Sequence, residues 1–412
     1  MQDILTCAMG LDIHRDVIVA CLAKGELGTD PEIEIRSFST LIPEMQKLRD
    51  WVLEAECYHV AMESTGIYWQ PIYEMLESCF DGQINILVVN ARHMKNVPGR
   101  KTDLRDAQWI ATLLRAGLLK GSFIPDKTFR ELRHLTRYRK SIVHDITTQK
   151  NRIDKFLQSS GFRFTAFLSD AFGVSGRNII RHLMEYGNIS REALDRCLKT
   201  QTRKRIDEIL IALNGSLSDH QRSFLRMIFE HLETLEQHRR TVENAITEEI
   251  TKHEDALRLL CSIPGIDVTA ASAIIAEIGN DMNAFPDSQH LCSWAGLSPG
   301  NNESAGKRKS AHINKGNPYL KSMLCEIGWV ISGKRTLYLS VWYWRIKQRK
   351  GAKRATIALA RKLLALIYTM LKNGTPYNEE CFEIRRKQSE RKRAGRMVNE
   401  LQRLGYFVVA PD

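Results

Sequence analysis

Two aspartates, Asp103 and Asp106, stand three residues apart in the run Gly99-Arg-Lys-Thr-Asp-Leu-Arg-Asp-Ala-Gln. A Pro-Gly turn precedes them and an apolar run follows. On a helix, residues i and i+3 share a face, so both carboxylates point the same way. Like charges side by side repel, and a cation lying between them removes the conflict. Taken singly, each also has a structural reading. Asp103 suits a helix cap, and Asp106 suits a first helical turn, where the dipole favours an acid.

Two more acids extend the set. Asp12 closes the apolar run that begins at Ile4, and Glu63 closes Tyr58-His-Val-Ala-Met. The bland readings are a strand-end turn for Asp12 and a helix-start acid for Glu63. Four hard oxygen donors with no neighbouring His or Cys cluster favour Mg²⁺, or Mn²⁺, over zinc. A pair of such ions activates an oxygen nucleophile and stabilises the leaving oxygen in phosphoryl transfer.

The elements that must position these acids follow from periodicity. Residues 4–13, 17–22 and 32–38 read as three strands with short turns, an antiparallel meander. Helical spacing covers 43–57, and a buried strand runs from Tyr58 to Glu63. A helix starting at Gly66, a strand over 84–90 and a helix over about 102–117 complete the unit. The order βββ-α-β-α-β-α is a ribonuclease-H-like layout. In it the first strand lies near the fourth and the helix after the fifth packs across both. Asp12, Glu63, Asp103 and Asp106 are then expected to converge.

The chain has 412 residues, 43% of them hydrophobic, which is enough for two or three domains with real cores. Its formal net charge of +12 suits a polyanion, of which nucleic acid is the commonest. No apolar stretch reaches the roughly 18–20 residues that a membrane helix needs. The N-terminus shows no signal-peptide pattern. Nine dispersed cysteines without a Cys-x-x-Cys pair read as reduced thiols of a cytosolic protein, not a zinc site.

Residues 126–158 predict a long amphipathic helix, with Leu132, Leu135, Ile142, Ile146 and Ile153 on one face. Arg133, Arg137, Arg139, Lys140 and Arg152 form a basic outer face that has few acids of its own, so nucleic-acid contact is expected there. A second long helix is expected from about Ser218 to Leu260. Its alternating three- and four-residue spacing predicts a coiled-coil-like seam, within the chain or between protomers. Residues 160–216 are mixed, with a helix over 191–213.

Leu260-Cys-Ser-Ile-Pro-Gly-Ile-Asp reads as a helix-hairpin-helix, whose free N–H groups around Gly265 suit a phosphate. An αα-corner without ligand is the plain alternative. Next comes Trp294-Ala-Gly-Leu-Ser-Pro-Gly-Asn-Asn-Glu-Ser-Ala-Gly-Lys-Arg-Lys-Ser, a polar loop. Its glycine spacing and the Arg308 after Lys307 exclude a Walker A loop. One serine, Ser304, beside Lys307, Arg308 and Lys309 suits a different chemistry, in which the cations hold a phosphodiester and the hydroxyl attacks it. A plain basic loop with an incidental serine is the alternative. Lys315 opens further helices, a segment over 352–372 is helical, and the charged tail beyond is a basic helix.

Several runs together resemble the DEDD transposases of the insertion-sequence one-ten family, including its eleven-eleven branch. They are Gly10-Leu-Asp-Ile-His, Met62-Glu-Ser-Thr-Gly, Arg100-Lys-Thr-Asp-Leu-Arg-Asp-Ala, Ile263-Pro-Gly-Ile, Trp294-Ala-Gly-Leu, Gly300–Lys307 and Lys315-Gly-Asn-Pro-Tyr-Leu. The resemblance covers most of residues 4–376. It implies a RuvC-like domain over 1–125, a coiled-coil-like helical region over 126–256, a helical transposase domain over 257–376 and a basic tail over 377–412.

It further implies Mg²⁺ at Asp12, Glu63, Asp103 and Asp106, and a catalytic serine matched by Ser304. Related loops often read Ser-Ser-Gly-Gly where this chain has Glu303-Ser304-Ala305-Gly306. A one-residue shift in the match makes Ser298 or Ser310 the candidate. The implied partners are donor and target DNA, a structured noncoding guide RNA, and further copies of the chain, from dimer to tetramer. The implied place is the cytoplasm of a prokaryote, at the nucleoid. Arg100, Lys101, Gly265 and Lys315 join the expected nucleic-acid contacts, with RNA read by shape and backbone. Two rival readings are a metal-dependent junction nuclease without a covalent intermediate, and a non-catalytic nucleic-acid-binding scaffold.

Overall fold

The computed structural model describes residues 3–64, 66–90, 106–299, 302–304, 307–310, 313 and 315–407, with the backbone alone at 302–304, 307–310, 381, 383, 385, 386, 389 and 390. It divides into two compact units, Met1–Ile124 and Pro125–Asp412.

The first unit is built on a five-stranded sheet. Strands β1 (Cys7–Ile13), β2 (Val17–Lys24) and β3 (Glu32–Ser39) form the expected antiparallel meander. Strands β4 (His59–Glu63) and β5 (Asn85–Val89) add in parallel on the other side of β1. Alternation along each strand sorts residues between two faces. Met9, Leu11, Ile13, Ile18, Leu22, Val60 and Met62 pack against the helices Ile42–Glu54 and Trp69–Leu76. The opposite face carries small residues. Ala8 and Ala61 meet Ile110 and Leu114, while Cys21 and Ala23 meet Ala107 and Ala111.

Those small residues let the helix Asp106–Arg115 lie close on the sheet. The contact is tightest at Gly10, where an added Cβ would meet the Ala107 carbonyl oxygen at 2.2 Å. Only glycine fits beneath the helix there.

Among the described residues, the regular structure of the second unit is helical apart from a short hairpin. Two 33-residue helices, Lys127–Ser159 and Asp219–Thr251, are each about 50 Å long at 1.5 Å per residue. They pair antiparallel within the chain: Arg139 bonds Glu243, Gln149 bonds the Ile228 carbonyl, and Phe156 packs on Phe224. The second helix begins with a capping box from Ser218 and Gln221. The expected continuous helix to Leu260 is interrupted, and a new one, Glu254–Cys261, starts after His253. The mixed stretch between the long helices folds into shorter ones, Val174–Tyr186, Arg191–Cys197 and Ile206–Ala212 among them.

Beyond Cys261 come the helices Val268–Ile278, Ser288–Trp294, Pro318–Gly333, Tyr338–Lys350 and Ala352–Asn373. The final helix, Glu379–Arg403, is exposed over nearly all of its second half.

Candidate functional site

Asp12 lies on β1 with the side chain 16% exposed, and Glu63 is the half-buried last residue of β4. The parallel register pairs Leu11 with Met62, so Asp12 and Glu63 are the next residues on the two neighbouring strands. Alternation puts Asp12 on the face of Ala8 and Gly10, and Glu63 on the face of Ala61. That is the face covered by the helix Asp106–Arg115.

The helix runs back along β1. Ala107 sits over Gly10, and the Arg115 carbonyl accepts the Ile4 and Leu5 amides. Its first residue, half-buried Asp106, therefore lies toward the Asp12 end of the sheet. Asp12, Glu63 and Asp106 thus share one face and one end. Among the described residues, no three His, Cys, Asp or Glu side chains close into a group able to hold a metal ion. Asp103, Arg100 and Lys101 lie outside the described residues. His14 approaches Asp12, with Nε2 at 3.2 Å from Oδ2.

In the second unit the segment expected as a loop contains a hairpin. Strand β6 (Asn302–Ser304) pairs antiparallel with β7 (Lys307–Ser310), and Ser304 is opposite Lys307 at the turn. An isolated bridge between Pro299 and Ile313 closes the neck. The backbone therefore sets Ser304 at the tip of a hairpin whose return strand carries Lys307, Arg308 and Lys309.

Known proteins share these regions. A family model of DEDD type, described as a transposase, matches residues 9–161, which hold Asp12, Glu63, Asp103 and Asp106. A second, described as the transposase IS116/IS110/IS902 family, matches 257–342, which hold Gly265, Ser304 and Lys315. An uncharacterised protein of insertion element IS110 from Streptomyces coelicolor is 26% identical over 305 residues, 68% of this chain and 73% of that one. The transposase for insertion sequence element IS1111A of Coxiella burnetii is 24% identical over 301 residues, 70% and 72% of the two chains. A pilin gene-inverting protein of Moraxella bovis is 30% identical over 128 residues, 30% of this chain and 39% of its own.

The chain belongs to the IS110 family of transposases. Transposases of this family act on DNA, and the basic surface of this one is where contact was expected.

The structure changes the argument for the long basic helix of this transposase. The expectation rested on a shortage of acids within that helix, but the acids come from other helices. Arg137 makes a two-pronged bond to Glu277, with Nε–Oε1 at 2.7 Å and Nη2–Oε2 at 2.9 Å. Arg133 reaches the same carboxylate at 3.1 Å and donates to the Ala276 and Glu277 carbonyls. Burial pulls the Arg133 guanidinium down to about 10, against the opposing pull of Glu277. Arg139 pairs with Glu243, Lys140 with Ser322 and Glu326, and exposed Arg152 with Gln149. Arg133, Arg137, Arg139 and Lys140 hold helices together, while Arg152 bonds within its own helix, so the number of basic residues alone is no measure of a free basic face.

Gly265 has φ of +99° in the turn between the helices Glu254–Cys261 and Val268–Ile278. An added Cβ would meet Ile331 at 3.1 Å, and Ile263 and Ile266 are buried beside it. The next helix is capped from within, by the Asp267 carboxylate accepting the Ala270 amide. A resident carboxylate at a helix N-terminus competes with any phosphate there, and the corner packs as an apolar joint. Lys315 is exposed.

Two residues central to the structure escaped the sequence reading. Glu277 is one of them, although a lone acid in Ala-Ile-Ile-Ala-Glu-Ile was a usable signal. Arg115 is the other. It is buried and donates to the carbonyls of Leu5, Gly25 and Glu26, tying the end of the Asp106 helix to the start of β1 and the β2–β3 turn. Its neighbours in sequence, Leu-Leu-Arg-Ala-Gly, carry no such sign.

Proposed function

We propose that this transposase cuts and rejoins DNA through a serine nucleophile, Ser304, assisted by a divalent-cation site of Asp12, Glu63, Asp103 and Asp106. The observation that carries this reading is the placement of Asp12, Glu63 and Asp106 on one face and at one end of the sheet. The strand order and the covering helix support a ribonuclease-H-like, RuvC-like unit, and the helix pair and hairpin support a separate helical transposase region.

Three carboxylates with no thiolate or imidazole cluster fit a hard divalent cation by donor type. Mg²⁺ bound by them would supply charge stabilisation for the phosphoryl oxygens. Ser304 Oγ attacks the phosphorus, the P–O bond to the sugar oxygen breaks, and the serine proton leaves to a base. A sugar hydroxyl of the exchanging strand then attacks the phosphoserine and releases Ser304 unchanged. The bond energy is kept in the ester, so no external energy source is needed. Lys307, Arg308 and Lys309 hold the phosphodiester. The resemblance and the net charge of +12 support a structured noncoding RNA as guide and an assembly of two to four copies.

The test uses the chain together with the noncoding RNA that flanks its gene and labelled donor and target DNA. Wild-type protein gives a serine-linked DNA adduct, which Ser304→Ala abolishes. Asp12→Ala abolishes both adduct and exchange. The rival reading, a junction nuclease, draws on the compactness of the first unit, which holds all four acids by itself. Cleavage that leaves free ends and survives Ser304→Ala would establish it instead.

A further inference from the structure

The hairpin that carries Ser304 is rooted at both ends in the helices of the second unit. Its incoming arm leaves the helix Ser288–Trp294 through Ala295, Gly296 and Leu297, all buried, with the Leu297 amide bonded to the Cys292 carbonyl. Its outgoing arm passes Gly316, where an added Cβ would lie 2.2 Å from the Gly296 nitrogen. Asn317 follows and caps the helix Pro318–Gly333, its Oδ1 accepting the Tyr319 and Leu320 amides. The other end of the same side chain donates from Nδ2 to Glu277 Oε2 at 2.6 Å.

Glu277 stands in a helix whose Ile274, Ile275, Ala276 and Ile278 are all buried. A carboxylate in that setting is costly to bury, and an apolar residue of similar size would pack at lower cost. What the carboxylate provides is a junction. Arg133 and Arg137 hold it from the long helix, and it holds Asn317 at the exit of the hairpin. Arg137 also stacks on Tyr319, two residues beyond Asn317, at 4.3 Å.

We propose that Glu277 is a positioning residue for the Ser304 hairpin, acting through Asn317. The inference rests on the reading of Ser304 as the nucleophile. Glu277 touches no reacting atom. It fixes the direction in which the outgoing arm leaves the helical platform, and so the place of the hairpin tip.

The geometry allows a rescue experiment on the full-length protein. Asn317→Asp keeps the helix cap, because Asp caps as well as Asn, but sets a second carboxylate against Glu277. Glu277→Gln combined with Asn317→Asp relieves that repulsion and leaves a single carboxylate at the junction, now on the hairpin side, while the Gln oxygen still accepts from the arginines. Three readings are taken: hydrogen exchange of the backbone amides between Pro299 and Ile313, the cleavage rate at saturating DNA against the half-saturating DNA concentration, and the melting temperature.

For Asn317→Asp the expected result is exchange faster by about tenfold and cleavage slower by about tenfold, the effect of one charge-assisted hydrogen bond. The half-saturating DNA concentration stays within about twofold. The double variant recovers most of both losses. Unchanged exchange in Asn317→Asp, or a double variant no better than it, overturns the inference. If the exchange results hold while Ser304→Ala still forms the adduct, the nucleophile reading falls separately and the rooting of the hairpin by Glu277 stands.

Discussion

A Cβ on Gly10 would stand 2.2 Å from the Ala107 carbonyl oxygen and 2.4 Å from the Ala111 nitrogen. Both are backbone atoms of the helix that begins at Asp106, so the clash cannot be relieved by turning a side chain. Gly10→Ala must push the helix off the sheet. The expected cost is about 1–3 kcal/mol, as for other overpacked cores, read by chemical denaturation. Cleavage should fall further than the folded fraction does, because Asp106 moves away from Asp12 and Glu63. Gly395→Ala is the contrast: it lies in an exposed helix with nothing within 4 Å, and should gain up to about 1 kcal/mol. Equal effects at the two glycines would refute the close-packing argument.

Asp12→Asn and Glu63→Gln keep shape and remove charge from neighbouring strands. Without divalent cation, each variant should melt at or above the wild-type temperature, because repulsion between the acids is relieved. Adding Mg²⁺ should raise the melting temperature of the wild type, by linkage, and leave the variants unmoved. Cleavage should disappear in both variants, and chelator should abolish it in the wild type. A Mg²⁺-dependent melting shift that persists in both variants would place the cation elsewhere.

Much of the first unit was legible because its strands alternate cleanly and its turns are short. Met9, Leu11 and Ile13 against Ala8, Gly10 and Asp12 already separate a large-residue face from a small-residue face. Asp12 and Glu63 were singled out for a related reason, because each closes an apolar run. The second unit was harder. The long helices are plain in the spacing, yet nothing local marks the interruption before His253, which comes where Phe129 stacks on that ring at 4.5 Å. The Ser304 hairpin has a polar sequence without alternation, and its neck is closed by distant partners, Pro299 with Ile313 and Gly296 with Gly316. Long-range pairing also misled the reading of the basic helix, because Glu277 lies 140 residues from Arg137.

Arg115 offers a test of the first unit that is independent of catalysis. Its side chain is 2% exposed, meets four backbone carbonyls and lies 3.5 Å from Asp3. Arg115→Ala removes a buried side chain and the donor that ties those carbonyls together, and the expected loss is about 1–3 kcal/mol. Arg115→Lys keeps the charge but cannot span the fork of carbonyls, so it should recover only part of the loss. Urea denaturation of the three proteins decides the matter. A lysine variant as stable as the wild type would show that charge alone suffices.

The second unit should weaken on mild acidification. Burial lowers the His253 imidazole below its usual 6.5, helped by Lys252 and opposed by Glu249, and burial likewise lowers His182. In the unfolded chain both rings take up a proton near 6.5, while the folded chain resists until lower pH. Between those two points the unfolded state holds more protons, so stability falls as pH drops through the window just below 6.5, then levels off. Above the window both states hold neutral rings and the penalty is absent. His253→Phe keeps an aromatic ring against Phe129 and removes the titration, so its urea midpoint should fall less than that of the wild type between pH 7.5 and 5.5. Adding His182→Phe should flatten the slope further. A wild-type slope retained in the double variant would assign the acid sensitivity to other groups.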